Sequence, residues 1–337
     1  LPEPGGEIRD AEVACPRLVL APTLRCEDGD LRFPHPALDG PDTPFSVTAG
    51  APGEPLSLGL QALQVAGGRL ALHLDLGADG GWRLYADARA LQLATARARL
   101  GELGLAVPGD FEVGGTLTGT GRAAGAAAPS SARIEATLSG LGFSNPAGTR
   151  AGEKIDAELT LEARRGDGAD PAWSGAVEVR TAAGQAFVNP FFLDFAQAPV
   201  AVASGFRWDP DRGRLRLRDV RLAHEGVLEA TGSATLATAP QTEVESLEAR
   251  ILEARLPELY QTWGKPLLLG SALDALETAG TLRGAVVLDA EGLGVDLELD
   301  GVHVDDQSRR FGLYGADGRV RWHSARPAET TRLDWSG

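Results

Sequence analysis

The five histidines of this 337-residue chain, His35, His73, His224, His303 and His323, are scattered without metal-ligand or catalytic spacing. No HxH or HExxH pattern pairs them, and His73 alternates with leucines in "ALHLDL", which places it on the wet side of a strand. A nucleophilic serine has no GxSxG elbow and a phosphate has no GxxxxGK[ST] loop. Gly-rich strings such as "GGTLTGTG" run through strand pattern and do not open a helix, so they do not read as a phosphate cradle. Carboxylates are plentiful: Asp209 and Asp211 flank one turn, Asp289 and Glu291 flank another, and Asp305 and Asp306 are adjacent. "DPDRG" is too short for a calcium loop, and these acids read as turn chemistry. The paired acids of a glycosidase would fit among so many carboxylates, but an aromatic content of 6% is low for sugar platforms. The expectation is a protein that is not an enzyme, with no catalytic residue, no metal and no cofactor.

Cys15 and Cys26, in "ACPRLVLAPTLRC", are the only cysteines. Their midpoint falls at Leu20–Ala21, and a tight hairpin there sets them directly across from each other, within closing distance of a disulfide. Such a staple implies an oxidising compartment. Two other readings stand beside it: a metal site, which needs more ligands than two thiols, and a pair of free buried thiols. "FVNPFFLDF" is the one dense aromatic patch, with Phe187, Phe191, Phe192 and Phe195. It reads either as a core plug at the end of a hairpin or as the oily floor of a groove.

The elements around these residues are strands. "EKIDAELTLEARR" sends Ile155, Ala157, Leu159, Leu161 and Ala163 to one side and charged or hydroxyl residues to the other. The same period of two places Leu70, Leu72, Leu74 and Leu76 together, Ile134 with Leu138, and Val177 with Val179. It recurs with Leu215 and Leu217, with Leu293, Val295, Leu297 and Leu299, then with Phe311, Leu313, Val320 and Trp322. Turn formers separate the runs: "GADGG" (77–81), "DPDRG" (209–213), "DAEG" (289–292) and "GADG" (315–318). The pattern predicts a mainly β fold, a long antiparallel meander. With 43% hydrophobic and 23% charged residues the chain has the profile of a folded protein, and no stretch approaches the ~20 apolar residues that span a bilayer. A net charge of −15 argues against nucleic acid as a partner.

Two stretches have helical spacing, "TARARLGELGLA" (95–106) and "RLPELYQTWG" (255–264). Leu100-Gly101-Glu102-Leu103 matches Leu256-Pro257-Glu258-Leu259, and Gly115-Thr116-Leu117-Thr118-Gly119 matches Gly280-Thr281-Leu282-Arg283-Gly284. This reads as an internal repeat of strand, short helix and strand, with chance similarity in a Leu- and Gly-rich chain as the alternative. "AAGAAAPSSA" (123–132) reads as a flexible link. The segments drawn from these features are residues 1–54 with the candidate disulfide hairpin, 55–125 with the first helix, and 126–337 with the second. With no methionine anywhere, the chain reads as a fragment whose targeting or anchoring segment lies upstream.

"LQLATARARLGELGL…GGTLTGTGRA", followed by "AGTLRGAVVLDAEGLGVDLELDGVHVDDQSRRFGLYGADGRVRWHS", resembles the AsmA-like proteins of the bacterial envelope, relatives of TamB and YhdP. The resemblance lies in the order of strand, Leu-rich helix, G-x-L-x-G strand and meander over most of residues 55 to 324, and it includes no catalytic signature. It implies a curved β-groove, open as a trough, that holds or conducts phospholipid acyl chains through the periplasm. It also implies an inner-membrane anchor upstream and a partner at the outer membrane. The aliphatic residues from Leu70 to Leu299 named above, with Ile155, Leu159 and Leu161 among them, would then line the groove. From the residues alone, an ordinary sandwich core is the competing reading, and an envelope assembly factor that offers a sheet edge or apolar face to client proteins is the competing function.

Overall fold

The computed structural model describes residues 11–326 and 332–335, except 22, 36–37, 52, 103–110, 167–170, 239–241 and 272. The chain forms two compact units, Leu1–Arg165 and Gly166–Gly337. These units do not coincide with the three segments drawn from composition.

The first unit is an open antiparallel meander. Its strands are β1 (Glu12–Ala14), β2 (Arg17–Val19), β3 (Leu24–Arg32), β4 (Asp42–Ala49), β5 (Leu56–Val65), β6 (Gly68–Leu76) and β7 (Trp82–Gln92). Helix α1 (Leu93–Glu102) then leads to β8 (Glu112–Gly125), β9 (Pro129–Ser144) and β10 (Arg150–Arg165). Each strand from β3 to β10 pairs with its sequence neighbours, while β1 and β2 both lie along β3. Alternating sequence and tight turns leave little other choice: each strand has an apolar side to keep together, and a hairpin is the shortest way to do it.

The second unit repeats the plan. It contains β11 (Trp173–Val188), β12 (Phe191–Asp194), β13 (Val200–Asp209), β14 (Arg214–His224), β15 (Leu228–Ala237) and β16 (Glu243–Arg255). A broken helical segment follows, made of α2 (Leu256–Leu259), a π turn (Tyr260–Gly264) and α3 (Lys265–Leu268). Strands β17 (Leu276–Asp289), β18 (Gly292–Asp306), β19 (Gly312–His323) and β20 (Arg332–Trp335) complete it. Pro257 and Pro266 sit in the first turns of α2 and α3, where a missing N–H costs nothing.

The internal repeat extends well beyond the matched glycines. Gly115 in β8 and Gly280 in β17 both have positive φ, 96° and 98°. In the next strand Gly140 and Gly301 do the same, at 60° and 57°. One strand further, Asp156 and Asp317 accept the N–H of those glycines at 2.8 and 2.7 Å. The two sets of three strands, each entered from a helix, thus share one pattern of bulges.

Three expectations are corrected. "GADG" (315–318) is not a turn but the middle of β19, where Gly315 and Gly318 adopt positive φ beside the bulge around Val302. The turn falls instead at residues 307–310, held by Asp306. "AAGAAAPSSA" is not a flexible link: β8 and β9 run through it to a tight turn at residues 126–128, pinned by the Trp82 Nε1–H bond to the Ala126 carbonyl at 2.7 Å. The disulfide does form, with Cα atoms 6.0 Å apart, yet the cysteines are not ladder partners. Cys26 pairs with Leu18, and Cys15 reaches it diagonally from the break between β1 and β2. Helix α1 begins earlier than its sequence pattern, at Leu93, and the part of that pattern from residue 103 onward lies outside the described residues.

Candidate functional site

Residues opposite one another in a ladder share a face of the sheet, so register converts strand patterns into surfaces. In the first unit one such row runs Phe45, Leu60, Leu72, Ala86, Gly121, Ile134, Leu161, from β4 to β10. Leu70 pairs with Leu63 and Ala88, Leu74 with Leu58 and Leu84, and Leu76 with Leu56 and Trp82. Leu138 lies between Leu117 and Ala157, and Leu159 opposite Ala136. All nine residues expected to line a groove here fall on this face.

The second unit has its own apolar face. A row runs Val179, Val202, Leu222, Ala230, Ile251, Gly284, Leu297, Val320. Val177 is two positions along from Val179, and Leu217 pairs with Phe206 and Ala234. Leu215 pairs with Trp208, Leu293 with Leu288, Val295 with Trp322 and Leu299 with Leu282. The eight expected residues of this half also share one face.

Within each unit, no second layer of described residues covers its apolar face. Of the expected lining residues only Ile155, 5% exposed, is buried, whereas Leu76, Ile134 and Leu293 are 38%, 37% and 36% exposed and the rest are half-buried. In a sandwich the facing layer removes such side chains from water. The floors are low, with Gly119, Gly121 and Ala123 in β8 and Ala230, Gly232 and Ala234 in β15, between Leu- and Ile-bearing neighbours. The opposite faces are wet. His73 lies beside Tyr85 and within 3.2 Å of Asp75, and Arg133 joins Glu135 and Glu162 at 2.7 and 2.6 Å.

Polar contacts tie the helices to the strands. In the first unit Arg99 of α1 meets Asp39 at 3.5 Å, and Asp39 also accepts the Gly67 N–H at 2.6 Å, which ties the helix to the β5–β6 turn. In the second, Tyr260 donates to the Leu273 carbonyl at 2.8 Å, and Trp263 Nε1 donates to His224 Nδ1 at 3.3 Å. His224 continues the apolar face of β14 and is 2% exposed, and desolvation holds its pKa below the usual imidazole value. The aromatic patch splits: Phe195 is buried, Phe191 stacks on Trp263 at 5.1 Å, and Phe192 is 51% exposed.

The strand alternation identified the aliphatic lining and Trp322 but passed over Trp82, Trp173, Phe206 and Trp208 on the same faces. Phe206 and Trp208 follow Val202 in step, but Ser204 interrupts the apolar run, and Trp82 and Trp173 are first residues of their strands. The carboxylates bind turn amides as expected: Asp209 accepts from Arg212 N at 3.1 Å and Asp289 from Glu291 N at 2.8 Å. Among the described residues no three His, Cys, Asp or Glu side chains converge on a point a metal could occupy, and no helix is long and apolar enough to cross a membrane. No protein-family model, curated protein or solved structure matches the chain.

Proposed function

We propose that the two apolar faces carry the acyl chains of phospholipid, as a periplasmic module of an AsmA-like envelope protein that is not an enzyme. The observation that supports this is the continuity of each face across its strands without a covering layer. An exposed acyl chain of ~15 methylenes costs roughly 12 kcal/mol in water, at about 0.8 kcal/mol per methylene. A continuous aliphatic strip removes most of that cost wherever the chain sits, so cargo slides without any chemical step. Side chains of Leu, Val, Ala and Gly set no single shape, which suits flexible tails. The disulfide fits an oxidising compartment such as the periplasm, and the anchor at the inner membrane and the acceptor at the outer belong to the same proposal.

The test is native mass spectrometry with lipid extraction on protein purified from cells, wild type against Leu159→Asp. Leu159 is half-buried, so the variant should remain folded and retain less co-purified phospholipid than wild type. A lipid-free wild type that takes up no added phospholipid would sink the reading.

A second reading rests on the strand edge formed by β1 and β2. There Val13, Leu18 and Val19 are 65%, 51% and 48% exposed. An exposed apolar edge suits strand addition by a client protein. Hydrogen-exchange protection of residues 12–19 by an added client strand, with no lipid present, would favour it.

A further inference from the structure

The polar face of the second unit carries a concentration of positive charge that the acyl reading does not use. Arg214, Arg216 and Arg218 occupy alternate positions of β14, and Arg207 of β13 is the direct ladder partner of Arg216. Like charges set directly opposite on neighbouring strands repel and lower the stability of the sheet. They stand in a chain whose net charge is −15. A cavity at the β13–β14 turn is lined by Arg207, Asp209, Arg212, Arg214 and Arg216, four guanidiniums to one carboxylate. The acids within reach are engaged: Asp209 with Arg212 at 3.5 Å and Glu245 with Arg214 at 2.9 Å. Arg216 has no ion pair among the described residues.

We propose that this cavity is a binding site for a phosphate-type oxyanion. Guanidinium forks match the oxygens of a phosphate two at a time, and a cluster of them holds a dianion with a geometry that lysines do not supply. The same hairpin presents Trp208, 41% exposed, and Leu215 on its apolar side. A phosphate at the arginines therefore lies one strand thickness from an open acyl surface. Two sources carry this chemistry, a free phosphate and the headgroup of an anionic lipid. The headgroup form rests on the acyl reading; the oxyanion site does not.

The experiment is isothermal titration of the whole chain at low salt with three probes: inorganic phosphate, dihexanoyl phosphatidic acid and dihexanoylglycerol. The variant is R207Q/R216Q, which removes two of the four guanidiniums that line the cavity, with its fold checked by circular dichroism, and the control is R69Q/R83Q in the first unit. Phosphatidic acid should bind the wild type and the control equally and R207Q/R216Q at least tenfold more weakly, with dihexanoylglycerol unchanged in all three. If inorganic phosphate binds as tightly as phosphatidic acid and is lost in the same variant, the site stands and its source is the free anion. Equal binding of both phosphate probes by wild type and R207Q/R216Q overturns the site and leaves the acyl reading intact if dihexanoylglycerol still binds. Phosphate binding that depends on the arginines, beside a wild type that ignores dihexanoylglycerol, keeps the site and sinks the acyl reading.

Discussion

At the scale of the residue, His224 links the sheet to the helical segment. Its Nδ1 accepts from Trp263, which fixes the neutral tautomer with the remaining proton on Nε2. Glu229, Glu253 and Arg255 line the small cavity beside it, yet burial dominates, so the folded-state pKa lies below the value of about 6.5 in an unfolded chain. A depressed pKa means that the contribution of His224 to stability is complete above that unfolded value and is lost as pH falls through the folded one. Thermal unfolding should therefore show a melting temperature that drops as pH falls below about 6.5, and His224→Leu should flatten that drop. A variant with the same pH slope as wild type would show that another group titrates there. Asp306 is also buried, and the Arg310 guanidinium at 2.6 Å with the amides of Arg310 and Ser308 holds its carboxyl far below the carboxylate range. Its contribution persists through neutral pH and is lost only as pH falls below about 4, and Asp306→Asn should remove that acid-side loss in the same melts.

At the scale of the element, the bulged strands after each helix determine where side chains point. A Cβ on Gly280 would sit 2.6 Å from the Gly301 carbonyl oxygen and 2.8 Å from the Val302 Cα, whereas one on Gly301 would meet nothing within 4 Å. Gly301→Ala then costs only the left-handed backbone, about 1–2 kcal/mol, while Gly280→Ala must also displace a strand and should cost clearly more in urea unfolding. Equal costs would mean that the β17–β18 ladder yields freely. Gly115 and Gly280 were visible in the sequence because glycine alone tolerates both the angle and the approach. Their companions were not. Lys154 and Gly315 hold the matching positive φ in β10 and β19 with unlike residues, and Asp156 and Asp317 reveal their capping role only once the glycine amide of the preceding strand, 16 residues away in sequence, comes beside them. For the same reason alternation alone placed Leu159 and Leu297 on a face but left open whether a second layer covered it. Strand period reports which side is apolar, not what that side meets, and only exposure separated a sandwich from an open sheet. The link expected at residues 123–132 failed differently: Ala and Gly weaken strand propensity, yet flanking ladders carried β8 and β9 through them.

At the scale of the whole molecule, two units each carry an apolar face of their own, and each helix leads into the same three-strand pattern. The disulfide lies within the first unit and closes a sequence separation of 11 residues, a loop whose constraint is worth roughly 2–3 kcal/mol. Cys15→Ser with Cys26→Ser should accordingly lower the unfolding transition of residues 1–165 and leave that of 166–337 in place, followed by hydrogen exchange. The duplication makes a sharper demand on the lipid reading. If each face holds cargo by itself, an obstruction in one must spare the other. Leu159 sits on the β10 side of the first face and Leu297 in mid-row on the second, between Gly284 and Val320. Both are half-buried, so an aspartate at either position places a charge on the acyl path without emptying a sealed core. Leu159→Asp and Leu297→Asp should each lower the phospholipid retained per chain, and the double variant should retain none, as counted by native mass spectrometry of the intact protein. Loss of all lipid from either single variant would instead mean that a chain binds only when both faces are open to it, and the two units would then act as one cargo surface and not as two.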